Sequence, residues 1–367
     1  MAYRNWSYYP DWVIPPSCID PVTCTAPYIG NPAGVSDCFS VWSVSDPHAA
    51  VPPSPRYLAS YLFYDGVGYQ TAVAYSDDLV HFTQPLAPAG VLFGPRTSWP
   101  AAPGEFDYGG AALIGFLMKD YNVTAPRVLA RAAPSGRFWA SYYAQPTRHA
   151  YEPPPGATGL ASSQDGFSWT RETPVPILDT VAAHGAQPWE DAQVYAPFLV
   201  LSADGSTVSD YYNAKGTAEQ SGLATLAAAA LPGLAGNHSL WARSPANPVL
   251  PSGPPGAHDS RLASDPKVFW DASLDSGRGA WVMLYFGVGS TPATASASIC
   301  IAFSRDAVAW TKATQPLYTA GGHPRGYDKE HAHKAWLNVD ASGRKYLYYT
   351  GVGPQGRGIL LLTSTPL

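Results

Sequence analysis

The stretch GGHPRGYDKEHAHKAW (321–336) packs three histidines, two lysines, an arginine, an aspartate and a glutamate into sixteen positions of a chain that is 13% charged. Four other segments place an acidic residue just ahead of an apolar run: VSDPHAA (44–50), EFDYGGAALIG (105–115), PWEDAQVYAPFLV (188–200) and HDSRLASDPKVFW (258–270). The candidate groups are Asp46, Asp107, Glu190 or Asp191, Asp259 or Asp265, and Glu330 with His331 and His333. Carboxylates that converge on one pocket repel each other and spread their proton affinities. That spread is what a general acid and a general base need at neutral pH. Taken singly, each acidic residue reads equally well as a turn aspartate or a surface charge. In EHAHK, residues two apart on a strand share a face, so His331 and His333 are expected to point together and Glu330 away from them.

The elements that would position these groups emerge as a repeat. Five aromatic strand cores recur: YLASYLFYDG (57–66), GRFWASYYAQ (136–145), VSDYYNAKG (208–216), AWVMLYFGVG (280–289) and KYLYYTGVG (345–353). Their spacing of roughly 65 to 80 residues suits one four-stranded propeller blade with long loops. Three of the cores are followed by AYSDDLVHFTQ (74–84), ASSQDGFSWTR (161–171) and AFSRDAVAWTK (302–312), which share Ser-x-Asp and a later aromatic. The Asp is expected to form a tight turn between third and fourth strands, with the ring packing between blades. The third unit is degenerate, with a short helix expected before Trp241. The last unit ends without a fourth strand, which the N-terminal region is expected to supply, near Cys38–Val44. The reading is all-β: a five-bladed β-propeller over residues 40–367, preceded by an N-terminal segment, 1–39.

Composition supports this class. The chain has 367 residues, 37 prolines, 34 glycines and 23 tyrosines, and its apolar stretches are short, a profile of many strands joined by turns. A net charge of −5 without a long basic run argues against nucleic acid, and no apolar stretch is long enough to span a bilayer. Cys18, Cys24 and Cys38 lie in the first forty residues, a distribution compatible with a disulfide there; Cys300 stands apart, and no CxxC suggests zinc. The tripeptides at Asn5, Asn122 and Asn237 allow glycosylation, and MAYRNWSYYP contains no visible signal peptide. The localisation expected on balance is extracellular or secretory.

From about residue 40 onward the chain resembles the five-bladed propellers of the furanosidase and xylosidase type, glycoside hydrolase family 43 and its relatives. DYGG, SDPKVF, AHK, DPKVFWD followed by WVMLYFGVG, and the closing GRGILLLTSTPL carry the resemblance. It implies an inverting hydrolase with an Asp base in the first blade, a tuning Asp in the second and a Glu acid in the third. Matched by motif these are Asp46 in SDPH, Asp107 in FDYGG and Glu190 in WEDAQ. The family's acid is followed directly by Gly-Pro, whereas here Pro197 comes seven residues later, so Asp191 is an alternative acid. Asp265, His331, His333, Lys334, Tyr108, Trp189 and Arg325 are expected to bind substrate, and Tyr195 and Trp336 are further aromatic candidates for stacking on a sugar face. No cofactor is required. The resemblance allows a structural Ca2+ in the channel, held by His333 and water, although no dense oxygen-ligand loop is present.

The expected activity is hydrolysis of a glycosidic bond in an oligo- or polysaccharide, exo-acting because a narrow channel admits one residue of a chain. One alternative is a glycoside phosphorylase holding phosphate with Arg325, Lys329, His331, His333 and Lys334, a set that would also suit a sulfate or uronate. Another is a carbohydrate-binding propeller without catalysis.

Overall fold

Strands dominate because β-branched, aromatic and small residues run in short stretches bounded by Gly, Pro, Asp and Ser, and almost every strand is buried along its length. The computed structural model describes residues 3, 5–16, 35–44, 55–85, 90–95, 98–149, 153–233, 240–365 and 367. Asp46, Cys18, Cys24 and Asn237 lie outside them.

After the short β1 (Ser7–Tyr8), the chain forms antiparallel units in sequence order. The first is β2 (Ser36–Ser43), β3 (Tyr57–Tyr64), β4 (Tyr69–Ser76) and β5 (Val91–Phe93). The second is β6 (Gly110–Phe116), β7 (Arg131–Ala132), β8 (Arg137–Gln145), β9 (Ala157–Ser163) and β10 (Trp169–Arg171). Next come β11 (Gln193–Leu201), β12 (Thr207–Lys215), β13 (Glu219–Ala227) and β14 (Ala242–Arg243), then β15 (Leu262–Asp271), β16 (Ala280–Val288), β17 (Ser298–Ser304), β18 (Thr311–Lys312) and β19 (Tyr318–Thr319). These last two units share one nine-stranded sheet, joined by the single parallel pair Glu219–Leu262. The chain ends with β20 (His331–Val339), β21 (Lys345–Gly353) and β22 (Gly356–Thr363). The short helix expected before Trp241 is a 3-10 turn, Ala228–Gly233.

The five aromatic cores are the second strands β3, β8, β12, β16 and β21. The Ser-x-Asp turns follow the third strands as expected. Ser76, Ser163 and Ser304 donate to Asp78, Asp165 and Asp306, whose Oδ1 atoms accept two following backbone N–H groups at 2.7–2.9 Å. Partial burial would raise both carboxyls, but these hydrogen bonds at Asp165, and at Asp78 the His81 side chain together with the backbone N–H groups, hold them down at about 2.

Two expectations about the N-terminal region are corrected. The missing outer strand is Ser7–Tyr8, paired antiparallel with Leu362 and Thr363 of β22. Cys38–Ser43 instead belongs to β2, the first strand of its own unit, so the expected boundary at 39/40 falls inside a strand. Two contacts from the 321–336 stretch hold the N-terminal segment beside β22: His323 Nε2 lies 3.1 Å from the Tyr9 carbonyl, and Arg325 pairs with Asp11 at 2.9 Å.

The first strands of the units, β2, β6, β11, β15 and β20, contact one another in turn and β20 returns to β2. At the C-terminal ends of these strands the space between them is filled. Trp336 packs edge-on to Phe198 and Phe269, and Trp42 against Phe116. Arg127, 1% exposed, lies over Phe269 and donates to the carbonyls of Leu337, Asp120 and Asn122, while its own carbonyl accepts from Ser43 N–H. Arg127 thus ties the loop after β6 to the ends of β15 and β20 through its guanidinium and to β2 through its backbone.

Candidate active site

Each first strand carries an extra residue that breaks its pairing register. The breaks fall between Asp37 and Ser40, Leu113 and Gly115, Tyr195 and Phe198, Ser264 and Lys267, and His333 and Trp336. A bulge re-aims the side chain it displaces. Cys38, Ala196, Asp265 and Lys334 adopt φ of 48°, 48°, 56° and 54° at these breaks, a conformation disfavoured for residues with a Cβ and typical of functional positions. All four, with Ile114 at the remaining break, line a single cavity of about 220 Å3 near the N-terminal ends of the first strands. The second strands add Leu62, Tyr143, Asn213 and Phe286.

The polar part of this cavity is a linked cluster. Asp265, 1% exposed, pairs through Oδ1 with Lys267 Nζ at 2.7 Å, and its backbone N–H donates to Asn213 Oδ1 at 2.6 Å. Its Oδ2 has no hydrogen-bond partner among the described residues. Ser264 Oγ donates to Glu219, and Asn213 Nδ2 approaches both Ser264 and Glu219, so Asn213 ties the Glu219 carboxyl to the backbone of Asp265. Asp37, fully buried behind the lining residues Cys38 and Lys334, accepts from Lys334 (2.7 Å), Arg357 (3.1 Å), Thr350 (2.8 Å) and the Cys38 N–H (2.9 Å). Burial alone would raise its proton affinity, but Lys334 and Arg357, aided by His333, hold the carboxyl well below the ordinary range. Two carboxylates, Asp37 and Asp265, therefore pair with three cations, Lys334, Arg357 and Lys267, and the Glu219 carboxyl lies beside them.

His331 and His333 both line the cavity and Glu330 is exposed, as the alternation predicts. Ala297 N–H donates to His331 Nδ1 at 3.0 Å, which leaves the proton on Nε2. His333 packs edge-on to Phe286, and its Nε2 has no partner among the described residues. Burial lowers both imidazoles below their ordinary value, His333 strongly, despite the Asp37 carboxylate beside it. Burial likewise pushes the Cys38 thiol up.

The acidic residues that open the units occupy a different position. Asp107 accepts from Tyr142 Oη at 3.0 Å and pairs with Arg171 at 2.9 Å. Glu190 accepts from Tyr212 and pairs with Arg243 at 2.9 Å. Asp259 accepts from Tyr285 at 3.0 Å and pairs with Lys312. Asp328 accepts from Tyr349 at 3.0 Å and from Tyr318. In every case a carboxylate in the loop before the first strand accepts from a tyrosine of the second strand; Asp107, Glu190 and Asp259 join it to a basic group further out in the same unit, and Asp328 joins it to Tyr318 on β19 of the preceding unit. The recurrence that suggested a shared catalytic pocket is the recurrence of this internal lock, and neither Asp107 nor Glu190 is among the residues lining the cavity. Burial raises the Asp107 carboxyl from its ordinary value, against the opposing pull of Arg171.

Of the remaining sequence candidates, Asp191 is exposed, Trp189 stacks on Tyr212, and Tyr108 lies beneath the Arg148 guanidinium. Trp336 is core, and Arg325 pairs with Asp11 of the N-terminal segment. The structure thus brings together Asp265, His331, His333 and Lys334, and adds Asp37, Glu219, Asn213 and Ser264, which the sequence pattern alone does not single out. SDC and SDP, an Asp on either side of a bulge, are the signal that could have found them. The residues around His333 do not fit a calcium ion. Its near neighbours include the cations Lys334 and Arg357, and among the described residues no group of three or more His, Cys, Asp or Glu side chains could hold a metal.

The chain is similar in fold to glycoside hydrolases. A structure of a complex of BT0996 with RGII matches with a TM-score of 0.74 at 23% identity, covering 100% of this chain and 94% of that one. A second, described as "Glycoside hydrolase", matches with a TM-score of 0.71 at 22% identity over 99% and 93%. A glycosyl hydrolase from Bacteroides ovatus matches with a TM-score of 0.62 at 14% identity over 98% and 95%. No family model matches the chain and no curated protein does. No described helix is long and apolar enough to cross a membrane.

Proposed function

We propose that the chain is an exo-acting glycoside hydrolase, built as one closed five-bladed β-propeller, that needs no cofactor. The ring of contacts among β2, β6, β11, β15 and β20 and the five matching bulges support the blade count. The observation that carries the activity is the Asp265–Glu219 pair in the cavity, linked through Ser264 and Asn213, with one Asp265 oxygen lacking a partner among the described residues. A buried acceptor without a partner costs free energy that a bound water or sugar hydroxyl would recover.

In this reading Asp265 Oδ2 takes a proton from the attacking water while the water oxygen bonds to the anomeric carbon. The bond from that carbon to the leaving oxygen breaks, and Glu219 delivers the proton that the oxygen needs. His333 Nε2 and the His331 Nε2–H orient the sugar. Asp107 and Glu190, already saturated by tyrosine and arginine, hold the blades rather than the substrate. Exo action is favoured because Arg127 and the loop around it fill the far end of the channel, and because the cavity is smaller than the roughly 300–1,000 Å3 usual for larger ligands. Inversion is the outcome implied by the resemblance to furanosidase-type propellers.

A panel of aryl pentosides and hexosides, assayed with and without phosphate and followed by NMR for the first anomer released, tests the proposal. Phosphate-independent release of one sugar with inverted configuration supports it. Release only as a sugar phosphate would replace it with a phosphorylase, and binding without turnover with a lectin.

A further inference from the structure

We infer that Ser264, itself oriented by Asn213, is a positioning residue that confines the transferable proton of Glu219 to its Oε2 atom; this rests on the proposed hydrolase reading, in which Glu219 is the acid. Two observations carry it: the direction of a buried hydrogen-bond chain, and its place across the join between the third and fourth units.

The direction follows from the one member that has no choice. A backbone N–H only donates, so the Asp265 N–H, 2.6 Å from Asn213 Oδ1, fixes that atom as the carbonyl oxygen of the amide. The other end is therefore the NH2 group, and it faces Ser264 Oγ and, at 3.5 Å, Glu219 Oε1. Ser264 Oγ accepts from Asn213 Nδ2, and among the described residues the acceptor for its own hydrogen is Glu219 Oε1. Neither Asn213 nor Ser264 is exposed to solvent, so a hydroxyl hydrogen turned away from Glu219 would be left unpaired and out of water. Glu219 Oε1 is thus an acceptor facing two donors, and a proton on Glu219 sits on Oε2.

The chain crosses two units. Asn213 lies on β12 and Glu219 begins β13, whereas Ser264 and Asp265 lie on β15, beside the parallel contact Glu219–Leu262. The register break that starts at Ser264 carries Asp265 to its φ of 56°. One amide therefore holds the base by its backbone and, with Ser264, the acid by its inner oxygen.

When Oε2 gives its proton to the leaving oxygen, the electron pair of the breaking bond passes to that oxygen and Glu219 becomes a carboxylate. The bonds from Ser264 O–H and Asn213 N–H to Oε1 then become charge-assisted and strengthen as the proton moves. They stabilise the transition state more than the bound substrate, so their loss shows in turnover.

The test compares the 2,4-dinitrophenyl and phenyl glycosides of the sugar that the aryl panel selects, because dinitrophenolate departs without a proton whereas phenol needs one. Turnover of both is measured for the full chain as wild type, Ser264→Ala and Glu219→Gln. Ser264→Ala is expected to lose roughly ten- to a hundredfold more on the phenyl than on the dinitrophenyl glycoside, the scale of one hydrogen bond to a charged group. Glu219→Gln is expected to lose more in the same sense. A loosened fold would slow both substrates alike. Equal losses on the two glycosides in Ser264→Ala, or no loss on either, beside a selective loss in Glu219→Gln, overturn the inference and leave the acid assignment standing. Equal losses in Glu219→Gln, or no turnover of either glycoside by the wild type, defeat the hydrolase reading and the inference with it. Should Ser264→Ala fail to fold, Ser264→Cys, close in shape and a weaker donor, gives the same comparison with a smaller difference.

Discussion

Asp210 on β12 gives a prediction whose size can be worked from the structure. The residue is fully buried, its Oδ1 accepts the Phe198 N–H at 3.1 Å, and its Oδ2 has no partner among the described residues. Phe198 lies just past the bulge that carries Ala196 into the cavity, so the carboxyl helps fix one wall of the site. With no cation beside it among the described residues, burial raises its pKa from 3.8 to about 8, only partly opposed by the backbone N–H. The folded state therefore prefers the protonated acid while the unfolded chain ionises near its ordinary value. Stability from this group is complete below pH 3.8 and is lost as pH rises toward and through about 8. At roughly 1.4 kcal/mol per pH unit, the loss between about pH 5 and pH 9 is about 4 kcal/mol. Asp210→Asn keeps an acceptor for Phe198 N–H and cannot ionise. Urea unfolding at about pH 5 and about pH 9 should show the wild type weakening by that order relative to the variant, which should overtake it above neutrality. Parallel stability profiles for the two proteins would refute the reasoning and place water or a cation against Oδ2.

Three further outcomes follow from the same packing. Arg171→Leu strands the buried Asp107 carboxylate and should cost about 3–5 kcal/mol by chemical unfolding, the usual range for breaking a buried pair, while ligand affinity in the cavity changes little in the folded fraction. Arg127→Ala leaves the carbonyls of Leu337, Asp120 and Asn122 without their donor and should cost about 3 kcal/mol or more, read as a drop in unfolding midpoint. His333→Ala should lower turnover about a hundredfold with the fold intact by circular dichroism; and because burial keeps both His331 and His333 below their ordinary value, wild-type activity should not change between about pH 6.5 and 8 through either imidazole.

The second strands were legible because each concentrates Tyr, Phe and Trp in one short run, and the Ser-x-Asp turns because the hydrogen bonds are local. The inner strand of the first unit was not. SDCFSVWS has a buried Asp37 near its start and serines at Ser36, Ser40 and Ser43, and it reads as less apolar than it is because every residue in it is buried. The site was half legible for a related reason. Acidic residues before strands repeat visibly, but at Asp107, Glu190, Asp259 and Asp328 the repeat is the tyrosine-linked lock, which needs partners about 20 to 65 residues away in sequence. The cavity is set instead by bulges at Cys38, Ala196, Asp265 and Lys334, non-glycine residues at positive φ. Strict alternation would have put Lys334 on the face opposite His333, and only the bulge brings both to the cavity.

The proposed function assigns the chemistry to the cavity pair rather than to the tyrosine-linked locks. Its most direct test is the turnover, on the best aryl glycoside of the panel, of Asp265→Asn and Glu219→Gln beside Asp107→Asn and Glu190→Gln, each corrected for its folded fraction. The account predicts a loss of about a thousandfold or more for the first two and less than about tenfold for the second two, whose deficit appears in stability. Near wild-type turnover in Asp265→Asn and Glu219→Gln, with activity abolished in a well-folded Asp107→Asn or Glu190→Gln, would contradict it.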